Sequence, residues 1–189
     1  MAYLNITSVR SCTESEGPGK RFALWVQGCN RRCPGCCNPE MQPIIRAHIV
    51  EAKDIIPLME HSAREYGIEG ISLIGGEPVL QAEGLAEISR WAKSEGLSVL
   101  LFTGFTLEEL RQKDDPHVNE LLTAVDILVD GPYMRELPDE KRDWVGSVNQ
   151  RVHFLTDRYA PGIEYAAQQH QMELLVSDNQ IMFNGWPFM

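Results

Sequence analysis

Four of the five cysteines fall within nine residues, in the stretch Gly28-Cys29-Asn30-Arg31-Arg32-Cys33-Pro34-Gly35-Cys36-Cys37-Asn38. Cys29, Cys33 and Cys36 follow the frame C-x3-C-x2-C. Thiolates bind metals, and Pro34-Gly35 supplies a turn that lets three of them converge. An odd number of cysteines packed this tightly argues against a disulfide framework. A closed zinc site needs four ligands, usually as two separated pairs, and there is no second C-x2-C. None of the five histidines has the spacing of a partner ligand. Cys37 could serve as a fourth ligand only with awkward backbone geometry, and reads as a small apolar residue beside the loop. Cys12 is isolated and reads as structural. A four-iron cluster on three cysteines leaves one iron open to a small molecule, as catalytic metal sites leave an open position. Structural zinc and free thiols are the alternatives. Arg31 and Arg32 would favour deprotonated thiols, or form a solvated face of the loop.

Such a loop has to be delivered by a rigid element. Phe22–Val26 is a short apolar run ending at Gln27-Gly28, a buried strand with the cysteines at its carboxyl end. Residues 51–66 have helical spacing, with Pro57 in the first turn or at a kink. Ile71–Ile74 is a second strand, stopped by Gly75-Gly76-Glu77-Pro78. Residues 81–95 form an amphipathic helix through Leu85, Ile88, Trp91 and Ala92, ended by Gly96. Leu97–Phe102 is a third strand before Thr103-Gly104. Thr106-x-x-Glu109 has the form of a capping box. Val125–Val129 is a fourth strand before Asp130-Gly131-Pro132, and Val152–Leu155 a fifth. Pro132–Val148 is charged and loop-like. Met172–Val176 and Gln180–Phe183 read as a hairpin across Ser177-Asp178-Asn179.

Strands alternating with helices predict a parallel α/β sheet, whose site forms from the loops at the carboxyl ends of the strands. A closed eight-stranded barrel takes about 250 residues. The 189 residues here fit an open partial (β/α) barrel, read as one domain over 1–189 with 156–189 as a C-terminal extension. The formal net charge of −10 disfavours sequence-independent nucleic-acid binding, which depends on neutralising phosphates. The charge is uneven: residues 1–50 carry six Lys/Arg against three Asp/Glu, the remainder eleven against twenty-four. No apolar run approaches a membrane span, and the N-terminus lacks a signal peptide's apolar centre, so a cytoplasmic location is expected.

The cysteine loop with Gly75-Gly76-Glu77-Pro78 resembles the core of the radical S-adenosylmethionine (radical SAM) superfamily. Four segments resemble, more narrowly, the activating enzymes of anaerobic (class III) ribonucleotide reductases: Gly28-Cys-x3-Cys-Pro-Gly-Cys-x-Asn38, Thr103–Leu110, Asp126–Pro132 and Trp144-x-Gly-Ser-x-Asn-Gln-Arg151. They occur in order and, with the strands around them, span residues 22–155. The resemblance implies a [4Fe-4S] cluster on Cys29, Cys33 and Cys36, and SAM chelated at the open iron. It implies reductive cleavage of SAM to a 5′-deoxyadenosyl radical, which takes a hydrogen from a glycine of the reductase.

Carried over residue by residue, the resemblance assigns Gly75, Gly76, Glu77 and Pro78 to the methionyl amino group. Thr103 falls near the SAM carboxylate or ribose, Asp130 at the ribose hydroxyls or the amine, and Asn149, Gln150 and Arg151 near adenine or SAM. Each also has a plainer reading, as a strand-to-helix turn, a cap or a polar turn. The implied partners are a glycyl-radical enzyme or another polypeptide, and an electron donor such as flavodoxin or ferredoxin, with no nucleic acid and no membrane. Departures from the family pattern are Arg31 where His is frequent, Cys37 where an aromatic or His is common, and the tail Glu173–Met189. The alternatives are a radical SAM enzyme acting on another protein, peptide or metabolite, and a non-enzymatic metal-binding module. The last glycine, Gly185 in Asn-Gly-Trp-Pro, does not resemble a glycyl-radical loop, so the radical is expected on a separate protein.

Overall fold

The computed structural model describes residues 1–166, 172–177 and 180–185. β1 (Tyr3–Thr13) pairs antiparallel with β2 (Arg21–Val26) on one side and with β3 (His48–Glu51) on the other. From β2 a parallel block runs through β4 (Gly70–Gly75), β5 (Ser98–Phe102) and β6 (Ile127–Asp130). β7 (Arg151–Phe154) then pairs antiparallel with β6. The result is one seven-stranded sheet in the order β3-β1-β2-β4-β5-β6-β7, with β3 and β7 as its edges and no closure into a barrel.

The parallel block matches the apolar runs, which are continuous because these strands are buried on both faces. The antiparallel edges correct the expectation of a parallel sheet, and β1 and β3 were not anticipated. Their cause is the connections. Parallel neighbours need a crossover of about a dozen residues or more, usually helical. Only residues 14–20 join β1 to β2, and the long segment from β6 to β7 has no helix, only a bridge between Pro138 and Ser147. The signal for β1 was alternation: Leu4 and Ile6 are buried, while Tyr3 and Asn5 are not.

Helices cover one face of the sheet. α1 (Ile56–Tyr66) starts with Pro57 in its first turn and ends at Gly67, in the left-handed conformation. α2 (Ala82–Ser94) buries Leu85, Ile88 and Ala92 at helical spacing. α3 (Leu107–Gln112) carries the expected capping box: Thr106 Oγ1 accepts from Glu109 N–H, and the Glu109 carboxylate accepts from Thr106 N–H. α4 (Pro116–Ala124) is capped by Asp115. The main core lies between this layer and the sheet, with Leu24, Leu73, Leu101 and Leu128 pointing into it. The opposite face carries Ala23, Trp25 and Ile74 in one cluster and Leu100, Ile127 and Val129 in another. Among the described residues no α-helix covers that face, and a cavity opens over it.

The C-terminal hairpin is present as β8 (Met172–Ser177) paired antiparallel with β9 (Gln180–Gly185). Its turn residues Asp178 and Asn179, and the tail Trp186–Met189, lie outside the described residues.

Candidate functional site

The cavity has a volume of about 1140 Å³ and opens at the carboxyl ends of the parallel strands. Its wall includes Cys29, Cys33 and Cys36, the turn from Gly75 to Pro78, Thr103 and Gln150.

The cysteine loop is closed at its base. Gly28 N–H donates to Met41 O at 2.8 Å and Cys29 N–H to Gln42 O at 3.0 Å. Inside it, Arg31 N–H points at Cys29 Sγ (3.3 Å) and Asn38 N–H at Cys36 Sγ (3.4 Å). Such donors stabilise charge on sulfur and tune a cluster bound through it. Cys29 is buried, Cys33 and Cys36 are half-buried and Cys37 is exposed. A hydrogen bond from the Cys37 thiol, helped by Asn38 N–H, holds Cys36 down to about 6. Burial instead pushes Cys33 up. Among the described residues, no three His, Cys, Asp or Glu side chains close on a point that one metal ion could fill. A four-iron cluster takes one thiolate per iron and needs no such convergence, so three soft donors on one cavity wall fit it.

The Gly75-Gly76 turn packs directly on that loop. Gly76 N–H donates to Val26 O and Glu77 N–H to Gly28 O, each at 2.8 Å. A Cβ at Gly76 would stand 2.3 Å from Gly28 O, so only glycine lets the two backbones meet. Gly75 has φ +115°, which also favours glycine. The residue before the first cysteine and the turn after β4 are therefore one unit.

Glu77 is fully buried and ties this unit to the end of β5. Its Oε1 accepts from Thr103 Oγ1 at 2.8 Å and Val79 N–H at 3.1 Å, and its Oε2 from Gly104 N–H at 2.8 Å. Burial raises its pKa, and these donors and nearby Arg31 only partly offset that. Gly104 in turn lies under Arg31, whose Cγ would be 2.9 Å from a Cβ there. The Arg31 guanidinium sits 4.7 Å from the Phe105 ring centroid and 3.6 Å from Glu109. Arg31 thus clamps the cysteine loop to the β5–α3 turn.

The polar group at the end of β6 sits behind the cavity wall rather than on it. Asp130, Asn149 and Arg151 are not among the residues lining the cavity. Side chains alternate along a strand. Ile127 and Val129 face the cavity side, so Asp130 shares the face of Leu128, toward the helices. There Asp130 accepts from Leu107 N–H at the start of α3 (2.6 Å) and from Arg151, its cross-strand partner, at 2.6 and 3.0 Å. Burial alone would raise its pKa; Arg151 and the helix N–H bring it below the ordinary value. Arg151 also pairs with Glu108. Asn149 donates to Pro132 O at 2.7 Å, bracing the loop. Gln150 does border the cavity, with its Nε2 donating to Gly131 O and its Oε1 accepting from Gly146 and Ser147 N–H.

Two parts of the wall escaped the sequence reading. Loop 14–20 supplies Glu16, which accepts from Gly185 N–H at 2.9 Å and is pushed up to about 7 by burial. The hairpin supplies Met172, Phe183 and Asn184. Gly17-Pro18-Gly19 marked a turn, but nothing local indicated what the turn would face.

Known proteins place this arrangement. Residues 15–153, well over half of the chain, match the family described as 4Fe-4S single cluster domain. An anaerobic ribonucleoside-triphosphate reductase-activating protein of Enterobacteria phage T4 is 31% identical over 158 residues, covering 82% of this chain and 96% of its own. The proteins of that name from Vibrio cholerae and Escherichia coli K12 are 34% and 33% identical, each covering 74% of this chain and 91% of their own. The chain belongs to the anaerobic ribonucleoside-triphosphate reductase-activating protein family. Its motif-based resemblance and its overall similarity therefore agree. The crystal structure of QueE from Escherichia coli covers 56% of this chain and 53% of its own at 14% identity with a TM-score of 0.41, too slight a likeness to argue from. In this family member, among the described residues, no helix is long and apolar enough to cross a membrane.

Proposed function

We propose that this protein activates an anaerobic ribonucleotide reductase by generating a glycyl radical on it, with a [4Fe-4S] cluster and SAM held in the cavity. One observation carries the reading: the cysteine loop, the Gly75–Pro78 turn and Thr103 meet on a single wall, in a chain of this family. Cys29, Cys33 and Cys36 would hold three irons. Gly75, Gly76 and Pro78 offer a close backbone approach to the methionyl group of SAM, and Glu77 fixes their position from behind. Thr103 and Gln150 would flank the rest of the nucleoside. When bound, the cluster and SAM would together supply one-electron reductive chemistry, the electron coming from a donor protein.

The chain contributes orientation and shielding. Trp25, Ile74 and Phe102 give the cavity an apolar floor. We read the sheet, with its free edges, as an open partial barrel of the radical SAM type, which would leave room for a polypeptide to reach in. We read residues 1–189 as one such unit, working in the cytoplasm with flavodoxin or ferredoxin as electron donor. The test is to mix reduced, cluster-loaded protein with SAM and the co-encoded reductase under anaerobic conditions. The reading predicts a reductase that turns over only after this treatment. A reductase left inert while a peptide or metabolite is modified contradicts it.

A further inference from the structure

We infer that the β8–β9 hairpin is a recognition surface for the polypeptide this protein acts on, an apolar lip at the mouth of the cavity. The inference rests on the reading that the substrate is a glycyl-radical enzyme. The hairpin lies beyond residue 153, where the family match ends. The relatives are already covered over 91–96% of their own length, so most of what this chain adds has no counterpart in them.

Its two faces are inverted relative to an ordinary surface hairpin. Glu173 and Asn184 are cross-strand partners and share the face turned to the body. Asn184 Nδ2 donates to Thr13 Oγ1 at 2.8 Å and Ser15 Oγ at 3.1 Å, and Glu173 Oε1 accepts from Glu14 N–H at 2.8 Å. Gly185 N–H is held by the Glu16 carboxylate. The hairpin is therefore anchored through polar groups on this face, which also carries Leu175, 47% exposed. The other face carries Met172, Leu174, Val176 and Phe183, of which Leu174 is 54% exposed and Val176 and Phe183 are each 66% exposed.

This face is continuous with the site. Met172 and Phe183 also border the cavity that holds the three cysteines. Pockets for small molecules run to roughly 300–1,000 Å³. At about 1140 Å³ this cavity lies just above that range. A polypeptide bringing a backbone glycine to the cofactor passes over the strip from Val176 to Met172. The occupant it fits is an apolar segment flanking that glycine, anchored on Phe183 and Leu174. Contiguous apolar side chains with an aromatic anchor are what such interfaces use.

The test measures the dissociation constant between the cluster-loaded full-length chain and the purified co-encoded reductase. Leu174→Ser/Val176→Ser and, separately, Phe183→Ala are compared with Leu58→Ser, an equally simple change at an exposed position on α1. The hairpin variants are expected to bind roughly tenfold or more weakly, the loss of one or two interface anchors, and Leu58→Ser as wild type. The double variant is expected to form 5′-deoxyadenosine from SAM without reductase at the wild-type rate. Wild-type affinity in both hairpin variants overturns the inference alone. Tighter binding or faster activation also overturns it, since the hairpin would then obstruct the site. A wild-type chain that does not bind the reductase overturns both this inference and the reading beneath it.

Discussion

Glu77 and Asp130 are both buried carboxylates just past or at the end of a parallel strand, and both accept from backbone N–H groups. Their surroundings separate them. Glu77 takes its bonds from a hydroxyl and two amides, lines the cavity and is held above the ordinary carboxylate range by burial. Asp130 faces the helical layer, where Arg151 and the first N–H of α3 hold it below that range. Asp130 ties β6 to β7 and to the start of α3, whereas Glu77 braces the turn and the β5 end on the cavity wall. The two carboxylates should therefore fail in different ways when removed.

The largest effects belong to the cysteine wall. Alanine at Cys29, Cys33 or Cys36 is expected to abolish the iron–sulfur absorbance, whereas Cys37→Ala keeps it. Loss of the cluster in Cys37→Ala with retention in Cys36→Ala would reverse the ligand assignment. Next comes Glu77→Ala. It leaves the Thr103 hydroxyl and the Gly104 and Val79 amides without their acceptor, and unmoors the Gly75–Gly76 turn. Iron content should persist while SAM affinity falls by about tenfold or more, the scale of roughly 1.4 kcal/mol. Unchanged SAM affinity, measured by equilibrium binding, would make the turn purely structural.

Asp130→Ala should do the opposite. SAM affinity is expected to hold, and stability to fall by about 2 kcal/mol. That is below the roughly 3–5 kcal/mol of a fully buried pair, because Arg151 is solvent-exposed. Denaturant unfolding checks this, and a loss of SAM binding without a loss of stability would return Asp130 to the site. The smallest effects are those of pH. The depressed Asp130 contributes stability above its unfolded value, near 3.9, that is lost as pH falls through the folded value. Asp130→Asn should flatten that acid limb. Glu16 runs the other way: raised to about 7 from 4.5, it destabilises the fold progressively as pH rises between those values. Glu16→Gln should raise the melting temperature at pH 8 and leave it little changed at pH 4, which thermal scans at both pH values would show.

These contrasts also mark what a sequence can reveal. The cysteines and the double glycine were legible because their chemistry admits few substitutes. Three thiols at that spacing suggest a soft-metal site, and a Cβ at Gly76 would stand 2.3 Å from Gly28 O. The continuous apolar runs marked the parallel strands for a similar reason, since burial on both faces leaves no polar positions. Asp130 turns toward the helices because a strand-end residue belongs to whichever face parity assigns. That parity follows from Leu128 and Val129 lying on opposite sides of the sheet. Arg151 followed it, because register makes the two direct neighbours. β1 signalled itself only by a short alternation, with Leu4 and Ile6 buried. Glu16 was hidden by distance: it is held against a hairpin almost 170 residues further along the chain.

The most direct test of the whole account is electron paramagnetic resonance on the reduced, cluster-loaded protein with SAM and the co-encoded reductase. The account predicts a radical doublet on the reductase that collapses when its glycines are α-deuterated, and no such signal on this chain. Formation of 5′-deoxyadenosine with no radical on the reductase, or a signal indifferent to glycine deuteration, would contradict it.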